Sequence, residues 1–169
     1  MMQYPPAEVG MAVADVDTPA LLVDLDAFEH NLKTMADAVA ASGVKLRAHS
    51  KTHKCPVVAR RQMALGAVGA CCQKVSEAEA MVNGGVTDVL VSNQIVGRTK
   101  LRRLCALASL AKVAVCADDA GNVEDLNTAA AEAGITLSVL VEIDVGANRC
   151  GVQPGEDALA LAQKIDRSS

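Results

Sequence analysis

A chain of 169 residues suffices for one ordinary domain, and 51% hydrophobic content with a mean hydropathy of +0.24 requires a sizeable core. Sixteen basic against twenty acidic residues give a net charge of −4 and a pI near 5.3, which excludes the general basic surface that nucleic acid demands. With no Trp, one Tyr and one Phe, the core falls to aliphatic side chains, Met and Cys, a mixture suited to buried parallel strands under Ala-rich helices.

Residues 1–16 read as a flexible lead. Asp17-Thr18-Pro19 then breaks the chain, and Ala20 to Asp24 is expected to be a buried strand. A helix with Asp26 as N-cap carries Phe28, Leu32, Met35 and Val39 on one stripe and stops at Ser42-Gly43. The unit recurs: strand Val44 to Ala48, helix Cys55 to Leu65, strand Val68 to Cys72. Next comes a helix from Ser76 to Asn83, with Ser76 as N-cap and Glu79 in the capping-box position. Strand Asp88 to Ser92, helix Arg98 to Leu107, strand Lys112 to Ala117 and helix Asp119 to Ala133, ended by Gly134, continue the pattern. Strand Ser138 to Ile143 and helix Glu156 to Ile165 complete it.

Strict strand–helix alternation with short links means an α/β chain with parallel pairing and right-handed crossovers. Two closures compete: an open doubly wound parallel sheet, complete at this length, or a partial (β/α)8 barrel that needs roughly 250 residues when whole. The first predicted strand ends in Asp24-Leu25-Asp26 rather than G-x-G-x-x-G, so the dinucleotide fingerprint is missing, as is a Walker motif.

Cys55, Cys71, Cys72, Cys105, Cys116 and Cys150 form no C-x-x-C pair, which points to reduced thiols and a cytoplasmic home. Adjacent Cys71 and Cys72 should face opposite sides of a strand. No apolar run approaches about 18 residues and no leader pattern opens the chain, so neither a membrane span nor a signal peptide is expected.

Chemistry concentrates after the second predicted strand, in Arg47-Ala48-His49-Ser50-Lys51-Thr52-His53-Lys54. The C-terminal ends of parallel strands collect reactive groups. Neighbouring cations and partial burial would lower an amine from about 10.4 and make Lys51 a nucleophile; the bland alternative is a solvated lysine. His49 and His53 have the spacing of a helical zinc pair, but they follow a strand and Ser50 stands where a hydrolase needs Glu, so no metal site is assigned. Gln73 lies at the mouth of the next strand, with Asn93 and Gln94 at the equivalent place further on. Arg149 either pairs with Asp144 or holds an anion on the face that carries Lys51.

Several separated stretches resemble the fold-type III pyridoxal phosphate enzymes related to alanine racemase, in their D-threonine aldolase-like branch. These are Asp17-Thr18-Pro19-Ala20 with Leu22-Val23-Asp24-Leu25, the Arg47 to Lys54 segment, Cys71 to Ala78, Val91-Ser92-Asn93, and Val141-Glu142-Ile143-Asp144 leading to Arg149-Cys150-Gly151-Val152. The resemblance implies that Lys51 carries pyridoxal phosphate covalently, that Arg149 approaches its phenolic oxygen, that Gln73 contacts it, and that His49 is an acid/base neighbour. It also implies retro-aldol cleavage of a small β-hydroxy-D-amino acid to glycine and an aldehyde, assisted by a divalent metal. Sister D-serine dehydratases, and non-catalytic pyridoxal phosphate barrels, are the alternatives. The branch often has Pro where this chain has Ala48. Its members continue for about as long again, so residues 17–169 are expected to be an incomplete barrel domain that lacks the phosphate cup and metal ligands and has little activity alone. A homodimer is the possible full-length form.

Overall fold

A computed structural model describes residue 5 and residues 7–168. Within it a parallel sheet alternates with helices in the order α1 (Leu25–Ser42), β1 (Arg47–His49), α2 (Pro56–Ala64), β2 (Gly69–Cys72), α3 (Val75–Asn83), β3 (Asp88–Val91), α4 (Arg98–Ala108), β4 (Lys112–Ala117), α5 (Ala120–Ala133), β5 (Ser138–Val141) and α6 (Glu156–Asp166). Of the expected lead, residues 1–4 and 6 lie outside the described residues; Val13–Asp15 forms a short 3-10 turn.

The strands lie in the order β1-β2-β3-β4-β5, each parallel to its neighbours. A doubly wound sheet reverses its order at a switch point, and this sheet does not. Burial agrees. Val89, Val91, Val113, Val115 and Ala117 are buried beneath the helices, whereas Leu90, Ala114 and Cys116 on the other face are only half-buried. One helix-covered face and sequential strands are the local signature of a (β/α)8 barrel.

The core is aliphatic because α3, α4 and α5 each turn a short apolar stripe inward. Leu101, Leu104 and Leu107 from α4, Val123 and Leu126 from α5, and Val75, Ala78 and Met81 from α3 close over the buried strand residues. Each buried Val, Leu or Met among them contributes roughly 1.5–3 kcal/mol.

Four expectations need correction. The apolar run from Ala20 to Asp24 joins no ladder; Leu21, Leu22 and Val23 are 95%, 61% and 65% exposed. Such a run becomes a strand only where a sheet edge accepts it. Next, the α1 cap is Asp24 rather than Asp26, its carboxylate accepting from Ala27 N at 2.8 Å. The third concerns β1, which begins at Arg47, because the first bond joining it to its neighbour is Val68 N to Leu46 O at 2.8 Å.

Last, α3 starts at Val75 behind Lys74, so Ser76 is not its cap and Glu79 closes no capping box. Glu77 takes that part, its Oε2 accepting from Gln73 N at 2.8 Å. Glu79 faces outward to Arg103, whose guanidinium holds the carboxyl below its usual pKa.

Arg47 Nη1 reaches across β2 to Asp88 Oδ1 on β3 at 2.7 Å, and the crossing is possible because Gly69 stands between them. A Cβ there would meet Asp88 O at 2.2 Å and Arg47 Nη1 at 2.5 Å. Gly69→Ala is therefore expected to cost about 1–3 kcal/mol, read as a lower urea midpoint; an unchanged midpoint would mean the strands part without penalty.

Candidate active site

Parallel register places every functional candidate at one edge. Lys51 follows β1, Gln73 follows β2, Gln94 follows β3, Asp118 follows β4, and Glu142 and Arg149 follow β5. Four strand intervals of about 4.8 Å separate the outermost two along that edge.

The segment carrying Lys51 is pinned at its base. Ser50 is only 1% exposed and bonds twice to Cys71 O, through its amide at 2.7 Å and its hydroxyl at 2.9 Å. Lys54 N returns to Ser50 O at 2.8 Å and closes the turn, with Lys54 in the left-handed region at φ 49. His49 Nδ1 faces Lys51 N at 3.3 Å, and His53 Nδ1 accepts from Cys55 N at 3.0 Å. His49 lies half-buried in register with Cys71, on the face away from the helices.

Lys51 itself is exposed, and among the described residues its ammonium has no carboxylate partner. The crowd of cations expected around it is not assembled. Arg47 turns to Asp88, and Lys54 Nζ lies 3.8 Å from Glu77 Oε1. Partial burial of Lys51 is likewise not observed.

Glu77, 8% exposed, thereby joins two loops, because its carboxylate takes both the Gln73 amide and the Lys54 charge. The side-chain amide of Gln73 makes no hydrogen bond among the described residues. Sequence reading passed over Glu77; its signal was a Glu at the third position of a helix whose cap has no polar oxygen to offer.

Beyond β5, Arg149 does not pair with Asp144. Asp144 Oδ1 accepts from Gly146 N at 2.9 Å and Asn148 N at 3.0 Å, and these amides hold its pKa below the ordinary carboxyl value. Glu142 gathers the neighbouring side chains: Gln94 Nε2 donates to Oε2 at 2.6 Å and Cys150 Sγ to Oε1 at 2.8 Å. Arg149 Nε in turn lies 3.5 Å from Cys150 Sγ. Asp118 Oδ2 accepts from Gly151 N at 2.9 Å and anchors the loop to β4. Gly151 has φ +101, and a Cβ there would lie 2.4 Å from Asp144 N. The exposed guanidinium thus sits on a tied loop without a carboxylate partner among the described residues.

Thiol chemistry is subordinate here. All six cysteines are free; Cys71 and Cys72 lie on opposite faces, and burial pushes Cys116 up to about 11. Among the described residues no group of three His, Cys, Asp or Glu side chains could hold a metal ion, and no helix is long and apolar enough to cross a membrane.

The profile of the alanine racemase N-terminal domain matches residues 23–169. The chain belongs to that family. It is 50% identical over 160 residues to a D-threonine aldolase of Arthrobacter sp., spanning 95% of this chain and 42% of that protein. A 3-hydroxy-D-aspartate aldolase of Paracoccus denitrificans is 46% identical over 160 residues, 94% of this chain and 41% of the relative. The crystal structure of a D-threonine aldolase from Filomicrobium marinum superposes with a TM-score of 0.95 at 56% identity, over 99% of this chain and 45% of the other. The chain therefore spans about two fifths of the length of these relatives, and the likeness to a family barrel agrees with the sequential sheet.

Proposed function

We propose that this chain is the cofactor-carrying N-terminal part of a pyridoxal phosphate-dependent lyase that splits a β-hydroxy-D-amino acid into glycine and an aldehyde. The observation that carries the reading is the free state of three side chains at one sheet edge. Lys51 has no ion pair, the Gln73 amide has no partner and Arg149 has no carboxylate, among the described residues. An amine, a neutral amide and a guanidinium on a tied loop fit an aldehyde that also bears anionic oxygens.

Each residue then has a part. Lys51 supplies the amine that links the cofactor, from a turn whose base is pinned to Cys71 by Ser50. Arg149 offers its planar guanidinium to an oxyanion. Gln73 can donate or accept, and its backbone is held by Glu77. His49 turns Nδ1 to Lys51 N, which leaves Nε2 to hold or pass a proton. When bound, pyridoxal phosphate supplies the electron sink for the carbanion that bond cleavage leaves at Cα. The metal implied by the resemblance has no ligand set among the described residues, so no step is assigned to it.

Aldolase chemistry is preferred to dehydration because the relatives at 46–50% identity are both aldolases. Glycine release from D-threonine with pyridoxal phosphate and Mn²⁺ tests the proposal. Slow release is expected from the 169 residues alone, and fast release once they are joined to the remaining three fifths of a relative. Fast release by the short chain would contradict its being a part; none from the joined protein would contradict the lyase.

A further inference from the structure

We propose that His53 is a positioning residue for Lys51, acting as a one-sided hydrogen-bond acceptor that locks the far end of the Lys51 turn to the start of α2. The inference rests on the reading of Lys51 as the cofactor-bearing amine.

The geometry is specific. In a turn where Lys51, Thr52 and Lys54 are exposed, the His53 ring alone is tucked in, and its Nε2 has no solvent contact and no hydrogen-bond partner. Its polar work among the described residues is done at Nδ1, which takes the Cys55 amide at 3.0 Å. Cys55 in turn precedes Pro56 and passes its carbonyl to Ala59 N at 3.2 Å. The turn is thus held at two points, by Ser50 to Cys71 of β2 and by His53 to Cys55, the residue that leads into α2, and Lys51 lies between them. A donor aimed at Nδ1 keeps the proton on Nε2 and disfavours the imidazolium, which would set two N–H groups against each other. Burial acts in the same sense, pushing the ring below its ordinary pKa. A lysine that must meet a bound aldehyde benefits from such a clamp, because each misplaced ångström lowers the rate of condensation.

The test contrasts two amides. Asn places an oxygen near the Nδ1 position, whereas Gln places its amide near Nε2 and leaves the Cys55 N–H without an acceptor. His53→Asn and His53→Gln are prepared in the 169-residue chain, and two signals are read. The first is amide hydrogen exchange over Lys51 to Cys55, with β2 as the internal control. The second is borohydride-trapped pyridoxal phosphate on Lys51. Exchange is expected to rise roughly fivefold to tenfold at Cys55 in His53→Gln and to stay near wild type in His53→Asn. The rate of trapping should fall in the same order. Equal exchange in both variants overturns the clamp, as does equal trapping where the wild type is trapped. Absence of trapping in every chain overturns the reading of Lys51, while the exchange contrast still decides the role of His53.

Discussion

Lys51→Ala is expected to remove the rapidly formed, retained pyridoxal phosphate adduct while leaving the fold intact. The side chain is exposed and makes no ion pair among the described residues, so its loss removes no packing and no charge partner. Wild-type chain mixed with the cofactor should develop an absorbance band that borohydride bleaches, and the variant should show only a slow, weak background. Surface lysines also condense with aldehydes, but slowly and without a site to retain the product. Circular dichroism of the two proteins should coincide. A band of equal height in Lys51→Ala would transfer the chemistry to another amine.

The second large effect belongs to Glu142. Its two carboxylate oxygens accept from Gln94 and Cys150, and Cys150 lies against Arg149, so one side chain joins the β3 loop to the β5 loop. Glu142→Ala leaves two donors unpaired, at about 1.5–3 kcal/mol for a bond to a charged group. We expect a lower thermal midpoint, faster proteolysis between residues 144 and 151, and cofactor affinity reduced roughly tenfold. Glu142→Gln, which keeps the shape and one acceptor, should fall in between. Loss of midpoint with unchanged affinity would mean that Glu142 braces the sheet and has no bearing on Arg149.

The strand–helix alternation was legible because the apolar runs are short, Val-rich and punctuated by Gly or polar caps. Lys112–Ala117 coincides with its expectation, and the αL glycines at 43 and 134 stop helices where expected. The same logic misread Ala20 to Asp24, since an apolar run records a preference for burial and not the edge that must receive it. Open sheet and barrel could not be separated from periodicity either; strand order decided, and order is a property of long-range pairing.

At the site, position along the chain gave the edge but not the partners. Lys51, His49, Gln73 and Arg149 all come to the C-terminal ends of strands, as parallel topology requires. Charge counting in the Arg47 to Lys54 segment failed because Arg47, two residues before His49, turns to Asp88 across the side-chain-free Gly69. The Asp144–Arg149 pair failed for a local reason: a carboxylate two residues before a backbone amide finds that amide first. Asp118 and Glu77, which anchor the flanking loops, carry only the faint signal of an acid next to a strand end or helix start.

The most direct measurement is peptide mapping of the chain after borohydride reduction in the presence of pyridoxal phosphate. A single labelled peptide is predicted, with the added mass on Lys51; label spread over Lys45, Lys54 and Lys74, or absent from Lys51, would contradict the account.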